Sequence, residues 1–108
     1  MTDVPEIDLD TLEQRLADGV LVIDVREDDE YTGGHIAGAR HMALGTVPER
    51  YEELPTDRPV LVVCQVGGRS ARAVQFLRGQ GIDATNVAGG TKAWLESGRS
   101  VVTGAEPG

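Results

Sequence analysis

The chain has 108 residues, 40% of them hydrophobic, with 10 Lys and Arg set against 18 Asp and Glu for a formal net charge of −8. That length builds one hydrophobic core and not two, and the acidic balance excludes a nucleic-acid backbone or an anionic membrane surface as a general partner. One cysteine, Cys64, and two histidines, His35 and His41, exclude an internal disulfide and a zinc cluster.

Asp10-Thr11-Leu12-Glu13 has the spacing of a capping box, and Leu9, Leu12 and Leu16 share one helical face, so a helix is expected there, ending at Gly19. Val20 to Val25 follows as a buried strand, continuous and rich in β-branched residues, closed by the charged run Arg26 to Glu30. Gly33, Gly34 and Gly38 predict a loop, with a short strand near Ala39 to Met42. Thr46-Val47-Pro48-Glu49 reads as a second helix start with proline in the first turn, and that helix should stop before Pro55.

Pro59 precedes the second strong strand, Val60 to Val63. Ser70 to Arg78 is expected to be a helix with Ala71, Val74 and Leu77 inward, stopped by Gly79 or Gly81. Ala84 to Val87 is a third strand, followed by Gly89-Gly90 and a helix from about Thr91 to Glu96. The tail from Arg99 to Gly108 carries no pattern and is expected to be loose. Apolar strands alternating with helices indicate a single α/β domain, with a small, mostly parallel central sheet flanked by helices. In such sheets ligands sit at the carboxyl ends of the strands, and Cys64 follows such an end.

The acidic start MTDVPEIDLD has no apolar signal core, and the longest apolar runs, Val20–Ile23 and Val60–Cys64, are far too short to span a bilayer. A cytoplasmic, monomeric protein is expected, since a free thiol stays uncapped in a reducing compartment.

The stretch Cys64-Gln65-Val66-Gly67-Gly68-Arg69-Ser70 concentrates the chemistry. A lone cysteine ending a buried strand is more often an inert core residue. Here two glycines, a cation and a helix start follow it directly. Gly67 and Gly68 let the loop curl so that successive backbone N–H groups face inward as an anion nest. The helix start adds its positive end, and Arg69 adds a guanidinium fork suited to an oxyanion. All three favour the thiolate, the nucleophilic form.

That loop resembles the active-site loop of single-domain rhodaneses, the sulfurtransferases. Leu21-Val22-Ile23-Asp24-Val25-Arg26-Glu27 with Glu30-Tyr31, and then Gly34-His35-Ile36-Ala37-Gly38-Ala39, are similar to the two upstream rhodanese signatures. Val87-Ala88-Gly89-Gly90 with Trp94 resembles the C-terminal one. The pieces come in the family's order over roughly residues 8 to 97. The resemblance implies a rhodanese-like fold and a Cys64 that carries sulfur as a persulfide. It also implies a donor such as thiosulfate, an acceptor such as glutathione, thioredoxin or cyanide, and no metal or organic cofactor. Gln65, Val66, Gly67, Gly68, Arg69 and Ser70 would bind substrate, with Gln65 and Val66 exposed and shaping the choice of acceptor.

Related dual-specificity phosphatases place one residue more between cysteine and arginine. The tighter ring here favours sulfur transfer over a phosphatase or arsenate reductase. A second alternative is a rhodanese-like module that binds a partner or senses sulfide without catalysis.

Asp24 and Arg26 are expected to support the site as an ion-pair lattice rather than as acid and base. Glu30, four residues after Arg26, has the spacing of a helical ion pair with it. His35 is expected to be a hydrogen-bonding strut, and Trp94 to pack the last helix. Gly89 and Gly90 would let backbone approach the active loop. Arg72 suits either the positive rim or a solvated surface, and His41 has no special context.

Overall fold

The structure, a computed structural model, describes residues 4–108. Among the described residues five strands form one parallel sheet: β1 (Glu6–Ile7), β2 (Leu21–Asp24), β3 (Arg40–His41), β4 (Val60–Val63) and β5 (Ala84–Val87), in the order β1-β5-β4-β2-β3. All four pairings are parallel, with Val22 opposite Leu61 and Val62 opposite Asn86. The α-helices of the described residues flank it: α1 (Leu9–Ala17), α2 (Asp28–Gly33), α3 (Val47–Arg50), α4 (Gly68–Gly79) and α5 (Gly90–Glu96).

The pleat sorts β4 into two cores. Val60, Val62 and Cys64 face one side with Ala73, Val74 and Leu77 of α4 and Val47 of α3. Leu61 and Val63 face the other with Leu12 of α1 and Trp94 of α5. Every residue of β4 is buried, which is why its sequence reads apolar without alternation. Cys64 therefore lies just past the central strand's carboxyl end, on the face that α4 covers.

Several boundaries differ from expectation. The first helix is capped by Asp8, whose Oδ1 accepts from the Thr11 N–H at 2.8 Å, so Asp10 falls inside the first turn rather than at the cap. The acidic run after Arg26 is not merely a strand terminator. Asp28, Asp29 and Glu30 form the first turn of α2, where carboxylates meet the helix's positive end, and the Glu27 N–H donates to Glu30 Oε1 at 3.0 Å.

The second expected helix breaks into a 3-10 turn at Leu44–Thr46, the short α3, and another 3-10 turn at Tyr51–Glu53. α4 starts at Gly68, two residues earlier than expected, and buries Ala73 rather than Ala71. The tail is tied down. His35 and Val102 exchange two backbone hydrogen bonds of 2.8 Å, Gly104 N–H donates to Thr32 O at 2.9 Å, and Gly38 N–H to Pro107 O at 2.8 Å. Trp94 packs α5 as expected, 7% exposed, with its Nε1–H on Ser100 O at 2.9 Å.

A cavity of about 730 Å³ opens at the other end of the sheet, between the start of β2 and the approach to β4, with Arg15, Arg40, Arg58, Leu54 and Pro59 in its lining. Cys64 does not line it, so chemistry rather than volume marks the candidate site. Among the described residues no helix is long and apolar enough to cross a membrane.

Candidate active site

After β4 the chain turns through Cys64 to Gly67 and enters α4. Gly67 is the cap residue, at φ 114°, a left-handed conformation that favours glycine. The turn aims donors at the thiol: Gly67 N–H lies 3.1 Å from Cys64 Sγ, and the Ser70 hydroxyl 3.2 Å from it. Burial pushes the Cys64 thiol up, since only 1% of the residue is accessible. The Ser70 hydroxyl and the main-chain N–H groups of Ser70, Gly67 and Val66 outweigh it, and the net result lies below an ordinary cysteine.

The nest is held from behind by α5. Thr91 N–H donates to Cys64 O at 2.9 Å and Lys92 N–H to Gln65 O at 3.0 Å. In a planar trans peptide the carbonyl and the N–H point opposite ways. Drawing those two carbonyls toward α5 turns the N–H groups of Gln65 and Val66 to the other side, and the Val66 N–H reaches the sulfur.

This contact needs Gly90, at φ 61°, because a Cβ there would stand 2.5 Å from both Cys64 O and Gln65 O. Gly90→Ala should cost at least about 1–3 kcal/mol in backbone strain alone. It should also push the carbonyls back and raise the pH at which Cys64 alkylates. Thermal unfolding and a pH series of iodoacetamide reaction measure the two effects. An unchanged alkylation profile would mean that α5 does not orient the nest.

Arg26, 3% exposed, grips the fully buried Asp24. Its Nε is 3.0 and 3.1 Å from the two carboxylate oxygens, and its Nη2 is 2.9 Å from Oδ2. Its Nη2 also donates to Gly34 O at 2.8 Å, and its Nη1 to Gln65 Oε1 at 3.2 Å. Gln65 is therefore half-buried and tethered, not exposed as expected, while Val66 stands 61% exposed at the mouth.

Glu30 does not pair with Arg26. It takes Arg69 in a two-point contact of 2.7 and 2.9 Å, and the Arg69 guanidinium draws its carboxyl down to about 2. Arg26 precedes α2, so the helical spacing rule does not relate it to Glu30. Both Arg69 terminal nitrogens are thus engaged beside the loop.

His35 is fully buried and stacked on Tyr31 at 3.7 Å, with Nδ1 2.8 Å from Tyr31 O and Nε2 2.9 Å from Glu106 O. Its partners lie in α2 and the tail, not in the Cys64 loop. The Tyr31 hydroxyl donates to Ala39 O. His41 gains a context: its Nε2 lies 2.7 Å from Arg26 O. Arg72 is exposed. Among the described residues no group of His, Cys, Asp and Glu could hold a metal ion.

The sequence reading missed Asn86. It is 1% exposed in β5, and it reaches Ser70 on one side and Glu6 on the other. An amide inside the inner strand Ala84–Val87 is the signal that could have found it, because a buried polar group needs partners.

Residues 8–97 match the Rhodanese-like domain. A sulfurtransferase of Allochromatium vinosum is 39% identical over 102 residues, covering 92% of this chain and 95% of its own. The thiosulfate sulfurtransferase GlpE of Pseudomonas putida is 39% identical over 84 residues, covering 77% of this chain and 76% of its own. Among solved structures, a rhodanese-related protein from Thermoplasma volcanium superposes with a TM-score of 0.86 at 33% identity, covering 94% of this chain and 99% of that one. The parallel sheet, the donor ring around Cys64 and these relatives agree: the chain belongs to the rhodanese-like domain family.

Proposed function

We propose that the protein transfers sulfane sulfur through a persulfide on Cys64. The observation that carries this reading is the ring of donors, Gly67 N–H and Ser70 hydroxyl at 3.1 and 3.2 Å, around a sulfur whose ionisation they favour. The nearest chemistry comes from the relatives, one of which is a thiosulfate sulfurtransferase.

In the first half-reaction the Cys64 thiolate attacks the outer sulfur of thiosulfate. The sulfur–sulfur bond of the donor breaks, its electron pair leaves with sulfite, and Cys64 keeps a persulfide bearing one negative charge. In the second, cyanide or a thiolate such as glutathione or thioredoxin attacks that outer sulfur. The bonding pair returns to Cys64 Sγ, and the product is thiocyanate or a new persulfide. No oxidant and no cofactor enters either step, and charge balances in both. Splitting the transfer in two through a covalent intermediate is what an activated nucleophile provides.

Steady-state rates of thiocyanate formation with thiosulfate and cyanide both varied test this. Parallel double-reciprocal lines are expected for a mechanism in which sulfite leaves before the acceptor binds. Intersecting lines, or no thiocyanate above background, would remove the proposal and leave a non-catalytic binding or sulfide-sensing role.

A further inference from the structure

Asn86 lies at the centre of a buried polar chain. Its Nδ2 is 2.8 Å from Glu6 Oε2 and 3.2 Å from Gly67 O, two groups that only accept. The amide nitrogen must therefore sit on that side, and Oδ1 must turn the other way. There it meets the Ser70 hydroxyl at 2.5 Å, the same hydroxyl that lies 3.2 Å from Cys64 Sγ. Ser70 Oγ is fully buried with one proton and two acceptors, so the two contacts cannot both be donated at once.

We propose that Asn86, held in orientation by Glu6, is a positioning residue that competes with Cys64 for the Ser70 proton and thereby governs the charge on the reactive sulfur. In the thiol form the chain is complete: S–H donates to Ser70 Oγ, and the hydroxyl donates to Asn86 Oδ1. Ionisation turns the hydroxyl to Sγ and leaves Oδ1 facing an oxygen lone pair, a cost borne by the thiolate alone. Asn86 therefore holds the thiol less acidic than the nest would make it. A thiolate of moderate basicity is the better nucleophile, because attacking strength falls as the thiol becomes more acidic.

The consequence for turnover rests on Cys64 being the sulfur carrier. In the persulfide the charge sits on the outer sulfur, and Sγ, now bonded twice, accepts weakly. The hydroxyl then turns to Asn86. When the acceptor removes the outer sulfur and the bonding pair returns to Sγ, the hydroxyl swings back to it. Ser70 thus changes partner once in each half-reaction.

The charged groups on the surrounding elements are Arg69 of α4, paired with Glu30 of α2, together with Asp24 and Arg26 at the end of β2, Glu6 of β1, and the exposed Lys92 of α5. Ser70→Ala touches none of them, and Asn86→Leu removes only the hydrogen bond to Glu6.

The test is the pH dependence of Cys64 alkylation by iodoacetamide, which reads ionisation whether or not sulfur transfer occurs. Asn86→Leu should raise the thiolate fraction below the midpoint up to about tenfold, the worth of the one neutral hydrogen bond that ionisation no longer has to break. Ser70→Ala should move the midpoint upward, and adding Asn86→Leu to Ser70→Ala should then change nothing. An unchanged or raised midpoint in folded Asn86→Leu overturns the proposal, as does an equal fall in the Ser70→Ala background. If Asn86→Leu does not fold, Asn86→Val, a strand-forming residue with no acceptor, decides: the midpoint should fall, and it should not do so in the Ser70→Ala background; a midpoint that stays put overturns the proposal.

Discussion

Cys64→Ser should keep the fold and lose the sulfur. Incubated with thiosulfate, the unaltered protein should gain the mass of one sulfur atom, and the variant none. A serine hydroxyl fits the same donor ring but does not ionise at neutral pH, and the chain has no second thiol to take over. The rate of thiocyanate formation should fall by several powers of ten, toward the roughly 10⁶-fold loss known for removal of a catalytic nucleophile. A normal mass gain in the variant would move the sulfur elsewhere and end the proposed role of Cys64.

Asp24→Ala should cause the largest loss of stability. The Arg26 and Asp24 side chains are 4% and 0% exposed, so removing the carboxylate leaves a guanidinium buried with only Gly34 O and Gln65 Oε1 as acceptors. Breaking such a pair costs about 3–5 kcal/mol, a large part of the roughly 5–15 kcal/mol that holds a domain folded. The melting midpoint should drop by at least about 12 °C, taking about 4 °C per kcal/mol. The double replacement Asp24→Leu, Arg26→Met removes both charges and should recover much of that loss. A melting point within a few degrees of the unaltered protein for Asp24→Ala would show that the pair does not hold the loops. Because Arg26 also tethers Gln65, the folded fraction of Asp24→Ala should transfer sulfur more slowly while keeping the pH dependence of Cys64, the mark of a group that places the loop without moving protons.

What the sequence made legible follows from how each element earns its stability. β4 is buried at every position and apolar throughout, and β2 is apolar up to Asp24, so both are visible as runs, while β5 keeps enough β-branched character to read as a strand despite Asn86. The Cys64 loop was legible because two glycines and a cation directly after a lone thiol are more than an ordinary strand-to-helix turn requires. α2 was not, since six residues make less than two turns and show no periodicity. β1 is a strand only because β5 pairs with it, and two residues carry no alternation, whereas β3 falls inside the short strand expected near Ala39 to Met42. The tail is tied through main-chain groups, which every residue has and no sequence advertises. The Arg69–Glu30 and Asn86–Ser70 contacts join residues 39 and 16 positions apart, beyond any local spacing rule.

The brevity of β1 and β3 reaches beyond the fold. They are the two rims of the sheet, and each offers a visiting chain a ladder two residues long. Amyloid-like growth needs a longer stretch of unpaired backbone on which to register. The one fully apolar strand, β4, is shut in the middle, so the sheet carries its own guard against fibril formation.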